Sequence, residues 1–337
     1  MRRRDVVTLV GRAALASPLA AAWPPAARAQ QGERMRRVGV LMGISQTNEN
    51  AQPRIQALQE GLQQLGWFDG QNVRVDIRWA AGDAERARID AAELVGMAPD
   101  VLVANALPML NAVRRETRTI PIIFVQMPDP VGTGAVSNLA KPEANVTGFT
   151  SFEFAMSSKW LQLLKEIAPG VTRVAFLFNP ETAAGSEAFY LKSIDAAAPS
   201  FNVKVTAALM RGADEIDGAI AALGGDPPGG LIVMPDLFTS INHANIIALA
   251  ARHRVPASYP YRFFAHAGGL ISYGIDIVDL YRRTASYVDR ILRGAKPSEL
   301  PVQQPTKYEM IVNQKTAAAL GVTLPSSVLV RADEVIE

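Results

Sequence analysis

The chain has 337 residues, nearly half of them hydrophobic, a formal net charge of +2 and no cysteine. The missing cysteine excludes disulfides, cysteine-ligated metals, cysteine nucleophiles and a lipid-anchored N-terminal cysteine. The near-neutral balance gives no reason to expect nucleic acid or an anionic membrane as partner, and this length suits two domains of ordinary size.

At the N-terminus, Arg2, Arg3 and Arg4 precede an apolar stretch from Val6 to Ala22, and Ala27-Arg28-Ala29 forms a small-residue site before Gln30. Basic region, apolar region and A-x-A site in that order predict a secretory signal segment over 1–29. Pro18, Pro24 and Pro25 break the apolar part too early for a membrane helix, which needs about 20 residues. The Arg pair is compatible with twin-arginine export and with Sec export. Removing five Arg and one Asp takes the formal charge from +2 to about −2, so the basic balance belongs partly to the signal. With an export signal and no cysteine for a lipid anchor, the mature chain is expected to be soluble and periplasmic, and it is expected to be a monomer.

From Arg36 onward, short β-rich runs alternate with longer helical patterns. Val38-Gly39-Val40-Leu41-Met42 is a near-continuous apolar run of the kind buried on both faces of a parallel sheet. A helix follows over about Pro53 to Leu65, with Ile55, Leu58, Leu62 and Leu65 on one face and Gly66 as a left-handed cap. Val73 to Trp79 reads as a strand, and Asp83 as the N-cap of a helix to Val95. Strands over Val101 to Ala104 and Ile120 to Gln126 enclose a helix at Pro108 to Glu116. The rhythm resumes with a helix from Ala155 to Ile167 and strands at Arg173 to Asn179, Val203 to Leu209, Leu231 to Met234, Ala257 to Tyr259 and Leu270 to Tyr273. Helices at about Gly185 to Ala198, Asp214 to Leu223 and Asn242 to Arg252 separate most of these strands. Such alternation predicts an α/β fold of two Rossmann-like parallel sheets with right-handed crossovers.

A long helix over Ile277 to Leu292, capped by Asp276, leads into a linker marked by Pro297, Pro301 and Pro305. A strand at Tyr308 to Asn313 and a short helix closed by Gly321 end the pattern. These trailing elements continue neither half. A chain that crosses between two lobes more than once explains them, and such crossings make a hinge.

In open parallel sheets, ligands sit beyond the carboxyl ends of the strands. Those ends offer Ser45, Asn105, Gln126 and Asp129 in the first half, then Asn179, Asp236 and Asp276 in the second. Asp129 and Asp236 are candidate counter-charges for an ammonium. Phe149 with neighbouring Thr150, and Tyr259, Tyr261 and Tyr273, are candidates to face or stack on a flat or apolar group. Each has a plainer role open to it: Asp129 can fix a turn between two prolines, Asp236 can cap a loop, Ser45 can cap a helix, and the tyrosines can be core. His243, His253 and His266 lack metal-ligand spacing. There is no G-x-S-x-G elbow and no Walker A loop, and Gly132-Thr133-Gly134 is only a fragment of a dinucleotide fingerprint. No cofactor or metal is expected.

Several runs taken together resemble a known family. They include Leu58-Gln59-Glu60-Gly61-Leu62 with Leu65-Gly66-Trp67, then Asp129-Pro130-Val131, Asn145-Val146-Thr147-Gly148 and Ser272-Tyr273-Gly274. Leu300-Pro301-Val302-Gln303-Gln304-Pro305-Thr306-Lys307 and the C-terminal Arg331-Ala332-Asp333-Glu334-Val335-Ile336-Glu337 complete the set. Over essentially the whole mature chain, the sequence resembles the periplasmic substrate-binding proteins of ABC transporters related to the tryptophan/tyrosine-binding type. The resemblance implies the type I periplasmic binding protein fold, with one lobe from 36–148 plus 277–305 and the other from 149–276 plus 306–337. It implies binding without catalysis, a small organic ligand, and permease and ATPase partners at the membrane. A sensory receptor with the same fold is the alternative, and an enzyme using Asp129 and Asp236 as an acid–base pair is a more distant one. The chain departs from the family pattern at Ala106-Leu107-Pro108, where relatives carry Gly-Thr-Pro, and at Gln126-Met127-Pro128, where small residues are usual. Leu107 and Met127 make that wall more apolar, which suits a hydrophobic carboxylate.

Overall fold

The computed structural model describes residues 34–337 except 143, 152–154 and 184; the expected signal segment lies outside the described residues. The first half runs β1 (Arg36–Met42), α1 (Ala51–Gln64), β2 (Val73–Trp79), α2 (Ala84–Gly96), β3 (Val101–Asn105), α3 (Ala106–Glu116), β4 (Ile122–Met127) and β5 (Val146–Thr150). Its strands form one parallel sheet in the order β2-β1-β3-β4-β5. The central strands β1, β3 and β4 are buried through almost their whole length, which is why they read as unbroken apolar runs.

The second half contains α4 (Met156–Ile167), β6 (Arg173–Phe178), α5 (Pro180–Ala183), α6 (Ser186–Ala197), β7 (Lys204–Leu209), α7 (Ile216–Ala221) and β8 (Gly229–Val233). It continues through α8 (Leu237–Ile241), α9 (His243–Arg252), β9 (Ala257–Tyr259), α10 (Arg262–His266) and β10 (Ile271–Ile275). Then come α11 (Ile277–Leu292), β11 (Tyr308–Asn313), α12 (Gln314–Leu320), α13 (Ser326–Arg331) and β12 (Glu334–Ile336). The second sheet has seven strands in the order β12-β11-β10-β9-β8-β6-β7. It is parallel except where β11 returns antiparallel to β10, so the α/β expectation holds with one reversed strand. That reversal needs no crossover helix on this sheet, because the chain leaves after β10 and comes back.

α11 is the element that leaves. It packs along α1, and Gly61 allows the approach: a Cβ there would stand 2.7 Å from the Arg282 carbonyl oxygen and 2.8 Å from Ala285 Cβ. Trp67 Nε1 donates to Asp289 at 2.8 Å, tying the end of the same helix pair. After α11, Gln303 pairs with Phe149 on β5, and the chain then enters β11. Connections after β5, after β10 and before β11 therefore pass between the two sheets.

Local signals behave as their chemistry requires. Asp83 and Asp276 accept N–H bonds from Arg86 and Asp279 at the starts of α2 and α11, and Gly66 and Gly321 take left-handed φ values of 88° and 70°. Leu65 departs from expectation. α1 ends at Gln64, so Leu65 has left the apolar stripe and is 37% exposed.

Candidate functional site

The carboxyl ends of β1, β3 and β4 face those of β6, β8 and β9 across a narrow cavity, whose empty space is about 490 Å³ when the open solvent at its mouth is included. Asn105, Leu107, Gln126 and Met127 line it from the first half, and Thr182, Asp236, Ser240 and Tyr261 from the second. Polar groups converge on the first-half wall. Gln126 Oε1 accepts from Arg54 Nη1 and from Asn105 Nδ2, both at 3.1 Å, while Asn105 Oδ1 accepts the Gly43 N–H at 3.2 Å.

Gln126 reaches this position through an unusual backbone. The β4–β5 register slips between Val125 and Met127, and Gln126 itself has φ of 64°. Ala106, the first residue of α3 directly after β3, has the same value. A non-glycine residue in the left-handed region costs about 1–3 kcal/mol, and such strain concentrates at functional sites. Here it turns the Gln126 amide into the cavity.

Arg54 is the main residue that sequence reasoning passed over. It projects from the first turn of α1, is only 3% exposed and lines the cavity. Its bonded neighbours are neutral: the Gln126 amide oxygen and the Tyr281 hydroxyl. Among the described residues no carboxylate lies within ion-pair distance of it. The sequence did carry a signal, since Arg54 stands four residues before Leu58 on the stripe that α1 buries, where a charge needs a reason.

Asp236 is the opposite charge on the facing wall. It caps α8, accepting Thr239 N–H at 2.7 Å with Oδ1 and Asn179 N–H at 2.9 Å with Oδ2. Burial pushes its carboxyl up to about 6, against the lowering effect of those amide bonds. Tyr261 closes the cavity between the two charges. Its ring stacks on Phe263 at 5.5 Å, and burial pushes its hydroxyl well above the ordinary tyrosine range.

Of the residues singled out from sequence, Asn105, Gln126, Asp236 and Tyr261 meet at this cavity, with Leu107 and Met127 on its wall. The others lie outside its lining. Asp129 accepts the Gly132 N–H at 2.7 Å and fixes the turn that carries Thr133 to the wall. Asn179 uses Oδ1 to accept the Glu181 and Thr182 amides. Ser45 shares a 3.2 Å hydroxyl contact with Thr47. Phe149 is buried against Tyr287, with Arg283 over its ring, and Thr150 bonds the Gln303 carbonyl. Tyr259 is core, stacked on Phe264 at 5.1 Å. Tyr273 stacks on Tyr308, and its carbonyl accepts from Trp160 Nε1. Asp276 is raised by burial but held below the usual carboxylate range overall by Lys307 at 2.8 Å and the Asp279 amide. Asp129 and Asp236 are therefore not brought together as a pair lining the cavity.

Contacts beside the cavity join the two halves directly. Gly43 leaves room for Leu237, whose Cδ2 would be 2.9 Å from a Cβ there, and Gly82 does the same for Ile241 at 2.8 Å. His243 Nε2 lies 3.3 Å from Glu49 Oε1. Among the described residues, no group of three or more His, Asp or Glu side chains is placed to hold a metal, and no helix is long and apolar enough to cross a membrane.

Known proteins share this architecture. A tyrosine-binding protein from Clostridioides difficile (strain R20291) is 27% identical over 291 residues, covering 83% of this chain and 80% of that protein. A conserved domain protein from Vibrio cholerae has a crystal structure that matches with TM-score 0.82 and 28% identity, over 90% of this chain and all of its own. A Streptococcus pneumoniae ABC domain in complex with L-Trp matches with TM-score 0.82 and 26% identity, over 89% of this chain and 99% of its own. The family model described as ABC transporter substrate binding protein matches residues 37–336. That span holds both sheets, the connections between them and every residue of the cavity, and by it the chain belongs to the ABC transporter substrate binding protein family.

Proposed function

We propose that this chain is the exported solute-binding component of an ABC-type uptake transporter, and that its solute is a small organic ligand, amino-acid-like or an apolar carboxylate. In this reading 1–29 direct export, and 36–148 with 277–305 closes as one lobe against 149–276 with 306–337. A permease and its ATPase then receive the solute unaltered, with no catalytic step. The observation that carries the reading is Arg54. A guanidinium stays charged, and a buried charge without a counter-ion costs several kcal/mol. A solute carboxylate at Arg54 would supply the counter-ion, with the Asn105 and Gln126 amides beside it. A solute ammonium would find Asp236 on the opposite wall. The relatives that bind tyrosine or carry L-Trp support the same class. Such a ligand touches both lobes at once, so it binds the closed form better and shifts the population toward it.

Isothermal titration of the protein with L-tyrosine and L-tryptophan, wild type against Arg54→Met, tests this. Micromolar binding, about −8 kcal/mol, is ordinary for the role. Removing one partner of a buried ion pair costs about 3–5 kcal/mol, so Arg54→Met should weaken binding more than 100-fold. Equal affinity in the variant, or a solute recovered chemically changed, would overturn the proposal.

A further inference from the structure

His243 is the first residue of α9 and is buried. Its two ring nitrogens face different halves of the molecule. Nδ1 lies 2.9 Å from the Ser240 carbonyl oxygen in its own half. Nε2 lies 3.3 Å from Glu49 Oε1, in the segment between β1 and α1 of the other half. A carbonyl oxygen only accepts, so Nδ1 carries a proton. In a neutral imidazole this leaves Nε2 as a lone pair set against a carboxylate oxygen, two acceptors in contact. A second ring proton turns the same contact into a charge-assisted hydrogen bond.

Among the described residues, Glu49 is the only carboxylate within ion-pair distance of His243. The charges on the helices packed around α9 are committed elsewhere. Asp236, the cap of α8, accepts the Asn179 and Thr239 amides. On α10, Arg262 is engaged by Glu309 at 3.0 Å and Glu334 at 2.9 Å, and His266 lies 3.4 Å from Glu334. Asp217 of α7 is bonded to His253, just past the far end of α9. The Phe263 and Phe264 rings, with centroids 5.2 and 5.8 Å from that of His243, carry no charge. A helix N-terminus disfavours a cation, so α9 itself favours the neutral ring. Glu49 reverses that preference, and Glu49 belongs to the other half.

We propose that the contact between His243 and Glu49 is a proton-dependent latch, so that closing the halves takes up a proton at His243 and acidification tightens solute binding. The proposal rests on closure around a solute, as read above, and not on which solute it is. Neither residue lines the cavity. Imidazole is the side chain that ordinarily changes charge between pH 5 and 8. The closed form holds more protons there than the open form, so falling pH favours closure. Asp236 acts in the other direction lower down. Its carboxyl, pushed up to about 6, loses its charge below that pH and with it the attraction proposed for an ammonium, so the latch is read above pH 6.

Titration calorimetry with L-tryptophan and L-tyrosine at pH 6.5, 7.0 and 8.0, in two buffers of different ionisation enthalpy, tests the latch. The Glu49 side chain is exposed, so the pair contributes modestly, and wild type should bind about two- to threefold more tightly at pH 6.5 than at 8.0. At pH 7.0, binding to wild type should take up about 0.2–0.4 of a proton more than binding to Glu49→Gln, a difference that a merely structural contact would not give. Glu49→Gln keeps the size of the side chain without its charge, and its affinity should no longer rise on acidification. His243→Asn, whose amide still has a donor for the Ser240 carbonyl, should behave as Glu49→Gln does. If wild type and both variants share one pH dependence and one proton uptake, the latch is overturned and the solute reading stands. If neither amino acid binds, the solute reading falls, and small-angle scattering of the solute-free protein decides the latch. The radius of gyration should then be smaller at pH 6.5 than at 8.0 in wild type and independent of pH in Glu49→Gln; equal radii throughout would overturn it.

Discussion

Asp236 has both carboxylate oxygens bonded to backbone amides and is still pushed up to about 6, because burial outweighs those two bonds. The unfolded chain loses this proton near the ordinary value of 3.8, while the folded chain keeps it until about 6. Between those values the folded state holds more protons, so stability falls as pH rises through the window. The loss at this one group is about 3 kcal/mol. Urea denaturation of ligand-free wild type and Asp236→Asn from pH 3.5 to 7 should show wild type losing ground to the variant by roughly that amount; a difference that stays flat would show that the carboxyl is not so perturbed. An ammonium beside Asp236 favours the ionised form, which gives the buried carboxylate a use that offsets its cost. In the proposed reading, Arg54 and Asp236 are two buried charges on facing walls, complementary to the two ends of one zwitterion.

Among the elements, the contact between α1 and α11 has little tolerance. Gly61 faces backbone as well as side chain on α11, so neither helix can yield locally to a larger residue. Gly61→Val should cost about 1–3 kcal/mol, as overpacking does, and lower the thermal midpoint; unchanged melting would mean the helices can part. The longer elements were legible in the sequence because strands buried on both faces read as apolar runs and helices of ten or more residues show a 3.6 period. α5, α8 and α10, with four or five residues each, span little more than a turn and carry no period to detect. β5 lacked a signal for another reason: Val-Thr-Gly-Phe-Thr is half polar, and it is buried by packing beneath the segment around Leu300 to Gln303, whose carbonyls receive Thr147 and Thr150. The loops at strand ends were legible as a class from the α/β pattern. Which of their side chains turn inward was not, since that depends on features such as the left-handed φ at Gln126.

At the scale of the whole molecule, the contacts of Gly43 with Leu237, Gly82 with Ile241 and Glu49 with His243 belong to the form in which the halves meet. Ile241 is 36% exposed and lies outside the lining of the cavity, so Ile241→Ser tests closure apart from solute chemistry. Surface substitutions of this kind change folding stability by about 0.5 kcal/mol or less. Ligand affinity should nevertheless fall about three- to tenfold, since the competent population is what the solute binds. Small-angle scattering should show the variant with a larger radius of gyration at subsaturating solute; identical profiles and affinities would remove these contacts from the closing step.

The late return of α11 also bears on how the chain reaches this state. β1 to β5 are complete early in synthesis, yet the helix that packs on α1 arrives only after most of the second sheet. Trp67 meets Asp289 across 222 residues of sequence, and Met42 meets Tyr281 across 239. Contacts that close such long loops are slow to form. The N-terminal half therefore cannot finish as an independent unit on the ribosome. Its last covering piece is almost the last to be made, which prolongs the interval in which the chain remains open to the machinery that handles unfolded polypeptide.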